Sequence, residues 1–179
     1  MTTYNRDIFV PNAEPRPGIG SAAGATIAGA TWRDLRAVAG LQRRAFRPPL
    51  AYGLTTLAVL WLLPNVQFLV ARDGRGQGGI LGCAIGDRIG VQSRVINICV
   101  DPAARRQGIG GQLMAALEAR LPVGNLVLMV EESNGVAQEL YRGQGYAAVG
   151  ISREYYGRGR NGIWMKKTRV DDGAAKVRT

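Results

Sequence analysis

The sequence, 179 residues long, contains no histidine. That absence excludes the Ser-His-Asp and Cys-His nucleophile systems and most zinc sites, so a proton shuttle must use Glu, Asp, Tyr, Lys or water. Cysteine is scarce too, because only Cys83 and Cys99 occur, and their spacing fits neither a metal site nor a disulfide framework. We therefore expect no bound metal and a reducing, cytoplasmic setting.

Negative charge is also in short supply, since 13 acidic residues stand against 23 Lys and Arg and the formal net charge is +10. Such an excess predicts an anionic partner, either a phosphate-bearing ligand or a nucleic acid. The basic residues are scattered along the chain without a nucleic-acid recognition motif, and a solvated basic surface explains them equally well. We expect no dedicated nucleic-acid binding.

Three parts are predicted along the chain. Residues 1–24 contain three prolines and a Gly/Ala/Ser run without apolar periodicity, which predicts a mobile extension, and they lack the apolar core of a signal peptide. Residues 25–168 predict one domain, because a chain of this length with 46% hydrophobic residues can bury one full core. Residues 169–179 form a C-terminal tail.

The alternation of strand and helix periods predicts an α/β (α+β) domain with the element order βααβββαβαββ. Thr31 and Asp34 form a capping box, which predicts the start of the first helix. Strands at 79–86 and 89–100 are expected to be joined by a turn near 86–88.

Residues 48–71 carry no charge, which raises the question of a membrane span. Prolines divide the stretch and leave an apolar segment at 54–63 that is far shorter than the roughly 20 residues a span requires. The segment therefore predicts a buried helix, and a hydrophobic surface for a partner is the alternative.

The strongest functional signal is the stretch VINICVDPAARRQGIGG at 95–111, in which a strand runs into a glycine-rich turn that opens an amphipathic helix. Glycines in such a turn leave main-chain N–H groups bare at a helix N-terminus, where unpaired donors and the helix dipole hold a diphosphate. Arg105 and Arg106 add positive charge. An ordinary strand-to-helix turn with solvent-facing arginines is the alternative, because the spacing is neither a P-loop nor a dinucleotide fingerprint.

The motif Arg105-x-x-Gly108-x-Gly110 resembles the acetyl-coenzyme A signature of the GNAT N-acetyltransferase superfamily, and ESNGVAQELYRGQGY at 132–146 resembles that family's Asn-x-x-Ala-x-x-Leu-Tyr-x-x-x-Gly-Phe/Tyr segment. The resemblance covers about 25–168. It implies a mixed, mostly antiparallel central sheet flanked by helices, with acetyl-coenzyme A as cosubstrate. The coenzyme-binding residues that it implies are Ile98, Cys99, Val100, Arg105, Arg106, Gln107, Gly108, Ile109, Gly110, Gly111, Asn134 and Tyr141.

Within the superfamily, Arg153-Glu-Tyr-Tyr156 and Ile163-Trp-Met165 resemble the ending of the bacterial ribosomal-protein-alanine N-acetyltransferases. This likeness implies that the acceptor is the α-amine of a protein or peptide N-terminus and that Tyr155 and Tyr156 border the peptide. An aromatic pair that only packs at a sheet edge is the alternative for these tyrosines. A small-molecule amine or aminoglycoside acetyltransferase and a non-catalytic coenzyme-binding module remain as other functions.

Tyr141 and Glu131 are the candidates for proton transfer. Asn134 and Tyr141 are seven residues apart on one helix and so share a face, and the resemblance implies that Tyr141 is the acid near the coenzyme sulfur. A plain helix N-cap is the alternative for Asn134, and a core tyrosine with a satisfied hydroxyl is the alternative for Tyr141. The relatives usually carry Glu or His where this chain has Met129, so the base is missing there. Strand alternation places Glu131 on the same side as Met129. Glu131 is therefore either a substitute base, which acts directly or through water, or a solvated carboxylate at the end of the strand.

The acceptor decides how serious the missing base is. An α-amine with a pKa near 8 is roughly one-tenth neutral at pH 7, whereas a lysine is about 0.04% neutral. An α-amine therefore tolerates a weak base, which favours an exposed N-terminus over lysine.

Overall fold

The computed structural model describes residues 25–48, 50–74, 79–121 and 124–169. The predicted extension at 1–24 lies outside these residues, as does the predicted tail apart from Arg169. Both remain predictions.

The described residues form seven strands and four α-helices in the predicted order βααβββαβαββ. The strands are β1 (Ala25–Gly29), β2 (Val66–Asp73), β3 (Ile80–Ile89), β4 (Gln92–Val100), β5 (Leu126–Glu131), β6 (Ala147–Ser152) and β7 (Gly162–Lys167). The helices are α1 (Leu35–Ala45), α2 (Leu54–Leu62), α3 (Ile109–Arg120) and α4 (Gly135–Gly143).

The strands make one sheet in the order β1-β2-β3-β4-β5-β7-β6. Every neighbouring pair is antiparallel except β4 and β5, which are parallel and are connected through α3, as a parallel pair requires. The predicted mixed, mostly antiparallel sheet is confirmed. The parallel ladder is short, because it joins only residues 93–95 to residues 126–128.

Helices cover both faces of the sheet. Phe68 and Val70 of β2 face the core beneath α1 and α2, whereas Leu69 and Ala71 face the core beneath α3. This alternation follows from the two-residue period of a strand, and it explains why β2 reads as a continuous apolar run in the sequence.

The predicted capping box is present. The Thr31 N–H donates to Asp34 Oδ2 at 2.7 Å, and Arg72 Nη2 of β2 donates to the same oxygen at 2.7 Å. Burial raises the pKa of Asp34, but the hydrogen bonds from Thr31 and Arg72 outweigh burial and lower it. One buried carboxylate therefore joins the start of the first helix to the sheet.

The predicted turn near 86–88 is wrong, because β3 and β4 are joined at Gly90 and Val91. Gly86 lies inside β3 beside a β-bulge, and a Cβ atom there would lie 2.8 Å from the Arg94 carbonyl oxygen. Gly86 is thus required by the close approach of β4. Gly90 has a φ of 58°, which the tight turn needs and glycine adopts without strain.

The prediction that α2 is buried is also wrong. Of its nine residues only Leu57 is fully buried, while Leu54, Val59 and Leu62 are 43%, 54% and 71% exposed. The helix lies at the surface with one side against α1 and β2, so its other side meets solvent. Within the described residues no helix is long and apolar enough to cross a membrane.

Candidate active site

A cleft of about 1790 Å³ opens where β4 and β5 separate. Residues 96–100 of β4 form one wall, and residues 129–131 of β5 contribute to the opposite wall. Because the ladder between these strands ends at residues 95 and 128, the main chain of residues 96–100 has no strand partner on the side that faces β5. Polar main-chain groups in a cleft provide hydrogen bonds to an extended ligand.

The N-terminus of α3 lies at this cleft. Gly108 is the N-cap with a φ of 76°, and no side chain caps the helix. The N–H groups of Ile109, Gly110 and Gly111 therefore have no acceptor within the helix. Gly110 lies against α4, where a Cβ atom would be 3.3 Å from Leu140 Cδ2. Bare donors and the positive end of the helix dipole make this position suited to a phosphate group.

Three hydrogen bonds to Asp101 fix the loop before this helix. Its carboxylate accepts from Ala103 N at 3.0 Å and from Nε and Nη2 of Arg44 at 3.0 and 2.6 Å. The hydrogen bond from Arg44 is the main cause of the lowered pKa of Asp101. Arg105 and Arg106 follow and line the cleft, so positive side chains stand beside the bare N–H groups.

Asn134 and Tyr141 both line the cleft from α4, as their spacing predicts. Asn134 caps the helix, since its Oδ1 accepts from Ala137 N at 3.2 Å. Tyr141 is a buried residue whose ring centroid lies 6.0 Å from that of Tyr146. Burial, with a smaller contribution from Tyr156, raises the pKa of Tyr141, so its hydroxyl keeps the proton.

The Tyr141 hydroxyl forms no hydrogen bond to any described residue, and it is absent from the fully buried atoms that lack a partner. It therefore reaches the open space of the cleft. The Tyr146 hydroxyl, by contrast, is fully buried and lies beside the Glu118 carboxylate. Neighbouring tyrosines thus differ in whether a ligand can reach the oxygen.

Glu131 lies on the same side of β5 as Met129, as strand alternation predicts. Arg160 binds its carboxylate with two hydrogen bonds, from Nε at 2.7 Å and from Nη2 at 2.8 Å. The hydrogen bond from Arg160 is the main cause of the lowered pKa of Glu131. Glu131 is therefore ionised at neutral pH and a weak base.

Tyr155 and Tyr156 border the same end of the cleft, with ring centroids 5.0 Å apart in an edge-on arrangement. The Tyr156 hydroxyl donates to the Met129 carbonyl oxygen at 3.1 Å, which holds the loop between β6 and β7 against β5. Burial, and next the nearby Tyr155, raise the pKa of Tyr156 to about 12.

The sequence-based prediction missed three features of the cleft. Arg94 binds Asp87 through two hydrogen bonds of 3.1 and 2.7 Å, and Tyr52 lies near Tyr155 and Arg94. Asn97 accepts from Gln42 Nε2 of α1 at 2.7 Å. A turn placed at Gly90 would have paired Asp87 with Arg94, but no local signal marks Tyr52 or Gln42.

All but one of the residues predicted for the site line this cleft. The exception is Gln107, which is exposed and lies outside it. Cys99 packs in the core beneath α1, opposite Cys83, so the main chain of Cys99 is the part available to a ligand. Within the described ranges no group of Cys, Asp and Glu side chains is arranged to hold a metal ion.

Residues 64–148 match the family model described as "Acetyltransferase (GNAT) domain". The chain is 34% identical over 83 residues to the [ribosomal protein bS18]-alanine N-acetyltransferase of Haemophilus ducreyi, a match that covers 45% of this chain and 57% of that one. It is 31% identical over 140 residues to the N-alpha-acetyltransferase RimI of Mycobacterium tuberculosis, a match that covers 73% of this chain and 84% of that one.

Solved structures have the same fold. The ribosomal-protein-S18-alanine N-acetyltransferase of Escherichia coli superposes with a TM-score of 0.68 at 26% identity, over 83% of this chain and 97% of that one. A GNAT superfamily phosphinothricin acetyltransferase of Sinorhizobium meliloti, in complex with AcCoA, gives a TM-score of 0.71 at 21% identity, over 86% of this chain and 92% of that one. At that identity the second likeness concerns the fold alone.

Proposed function

Since this chain belongs to the GNAT acetyltransferase family, we propose that it transfers the acetyl group of acetyl-coenzyme A directly to the α-amine of a protein or peptide N-terminus. One observation carries the proposal. A single cleft contains the bare N–H groups that begin α3, the reachable hydroxyl of Tyr141 and the carboxylate of Glu131.

The residues around the start of α3 fit a coenzyme. The N–H groups of residues 109–111, with Arg105 and Arg106, bind the diphosphate, and the unpaired main chain of residues 98–100 binds the pantetheine arm. The coenzyme supplies an acetyl thioester that is already activated toward an amine. A reducing, cytoplasmic setting agrees with the free thiols of Cys83 and Cys99.

Tyr141 is the acid in this proposal. Its raised pKa keeps the hydroxyl protonated at neutral pH, and Tyr141 lines the cleft. A protonated phenol there donates to the sulfur as negative charge develops on it. Main-chain N–H groups of residues 98–100 stabilise the developing oxyanion.

Glu131 attracts the acceptor and takes up its proton through water. Because Arg160 lowers the pKa of Glu131, the carboxylate abstracts protons weakly and suits an amine that is already partly neutral. An α-amine meets this condition far better than a lysine side chain. Tyr155 and Tyr156 flank this end of the cleft and border the acceptor. The names of the relatives from Haemophilus ducreyi and Mycobacterium tuberculosis support the same acceptor class.

Mass spectrometry of a mixed panel tests the proposal. Peptides with a free N-terminus, the same peptides with a blocked N-terminus but a free lysine, and small polyamines and aminoglycosides are incubated together with the protein and acetyl-coenzyme A. We expect acetylation of free N-termini. Glu131→Gln should lower turnover at least tenfold, while Glu132→Gln, the same change at an exposed neighbour, should leave it within twofold.

Other outcomes would support the other functions. Acetylation confined to small amines would identify a small-molecule acetyltransferase. Coenzyme uptake in calorimetry without acetylation of any acceptor would identify a non-catalytic binding module. Absence of uptake of both acetyl-coenzyme A and free coenzyme by folded protein would refute the proposal.

A further inference from the structure

The two helices α1 and α2 lie side by side on one face of the sheet, so their solvent-facing sides form one surface. Residues 35–72, which include both helices, contain arginines but no Asp or Glu. Asp34 itself is buried and bound to Arg72. The charged side chains that α1 and α2 contribute to this surface are therefore all arginines.

Arginines follow the outer side of α1 and the turn before it. Arg36 and Arg43 are seven residues apart, point away from the buried Val38, and are exposed. Neither forms an ion pair with the residues that the structure describes. Arg33 precedes them and stacks on Trp32, with its guanidinium carbon 5.3 Å from the ring centroid. These guanidinium groups are free to meet an anion.

Aliphatic side chains continue the surface on α2. Val59 and Leu62 are more than half exposed, Leu54 is 43% exposed, and none of the three lines the cleft. Trp32, 64% exposed, adds an aromatic ring beside the arginines. Exposed aliphatic groups of this kind on neighbouring turns of a helix indicate a binding surface.

We propose that this outer surface, formed by Trp32, Arg33, Arg36, Arg43, Leu54, Val59 and Leu62, binds the surface of an anionic lipid bilayer. Guanidinium groups meet lipid phosphates, a tryptophan ring suits the interface, and aliphatic side chains insert at the acyl boundary. The proposal is independent of the acetyl acceptor.

Charge and side-chain chemistry argue against two other occupants, a second copy of this chain and a nucleic acid. A second copy would bring the same arginines of a chain with net charge +10 to one interface, where they repel. A nucleic acid would use the arginines and the Trp32 ring, but it offers nothing to Val59 and Leu62, which cannot stack on bases. A bilayer uses both halves of the surface.

Vesicle sedimentation with the full chain tests the proposal. We expect binding to vesicles of equal parts phosphatidylglycerol and phosphatidylcholine at 0.1 M salt and none to phosphatidylcholine alone. The double change Arg36→Gln with Arg43→Gln should lower the partition coefficient about thirty-fold, at the usual contribution of each basic side chain. Val59→Ser with Leu62→Ser should lower it at least tenfold.

A control with the same loss of charge is available on the other face of the sheet. Arg120→Gln with Arg142→Gln changes α3 and α4, and we expect partitioning within about threefold of the wild type. Equal loss in both arginine variants would attribute binding to net charge and overturn the proposal. So would equal binding to neutral vesicles, no vesicle binding at all, a concentration-dependent dimer abolished by the Val59 and Leu62 changes, or RNA binding that needs the arginines but not Val59 and Leu62.

Discussion

Replacing Tyr141 by phenylalanine removes one oxygen atom from the wall of the cleft. That oxygen forms no hydrogen bond to any described residue, so the substitution breaks no protein contact and leaves no buried group unpaired. The ring itself, which packs in the core beside Tyr146, is retained. We expect the free energy of unfolding to change by less than about 0.5 kcal/mol.

The catalytic effect should be much larger. A positioned acid contributes about 10²- to 10⁴-fold to the rate, which corresponds to about 3 to 5 kcal/mol of the activation barrier. Turnover should therefore fall at least a hundredfold, while the affinity for acetyl-coenzyme A stays within about threefold. Release of the coenzyme thiol measures turnover, and calorimetry measures affinity.

Tyr146→Phe is the matched control. Its hydroxyl is fully buried beside the Glu118 carboxylate and does not line the cleft. We expect unchanged turnover and a loss of about 1 kcal/mol in the free energy of unfolding, because the buried Glu118 carboxylate loses its neighbouring hydroxyl. If Tyr141→Phe were as active as Tyr146→Phe, or lost coenzyme affinity by the same factor as turnover, Tyr141 would not be the acid.

Three further outcomes follow from the structure. With an acceptor amine of pKa near 8, kcat/KM should rise tenfold per pH unit below pH 8 and level off above it, without a fall near pH 10, because Glu131 has a lowered pKa and Tyr141 a raised one. Initial rates from pH 6 to 10 check this. Asp34→Asn should cost about 2 kcal/mol at pH 7. Because the folded-state pKa of Asp34 is lowered, the stabilisation is present above its unfolded value, about 3.9, and is lost as the pH falls below it, so the difference in Tm from wild type should shrink at pH 3. Gly82→Ala would place a Cβ atom 2.8 Å from Leu113 Cδ1 and 2.9 Å from the Cys99 carbonyl oxygen, and urea unfolding should show a loss of about 1 to 3 kcal/mol, whereas Gly143→Ala, with no atom within 4 Å of the new Cβ, should show none.

Features decided by neighbours in the chain were predictable. The capping box of Thr31 and Asp34 and the N-cap at Asn134 depend on residues three positions apart, and the structure has both. The common face of Asn134 and Tyr141 follows from helix geometry. The start of α3 was predictable for the same reason, because glycines after a strand mark a bare helix N-terminus.

Gly86 shows where local reasoning fails. A glycine at a turn and a glycine in close contact with the main chain of a neighbouring strand look alike in a sequence, and here the carbonyl oxygen of Arg94 in β4 requires the glycine. The prediction that α2 is buried is wrong for a related reason. Apolar residues on every side of a short helix do not tell which side the sheet covers.

Contacts between distant residues explain the rest. Arg160 lies 29 residues after Glu131, and their pairing depends on β7 running beside β5. The sequence therefore indicated where a carboxylate stands but not that an arginine holds it ionised. The same holds for Tyr52, which reaches the cleft from the connection between α1 and α2.

The three-pair ladder between β4 and β5 has a consequence for the cleft. Four strands lie on one side of this ladder and three on the other. Beyond the three pairs, the two groups are held together by side-chain packing in a core that contains residues of both, such as Val95 and Leu128. A longer ladder would close the cleft, so the length of this one ladder sets how far the opening reaches into the sheet.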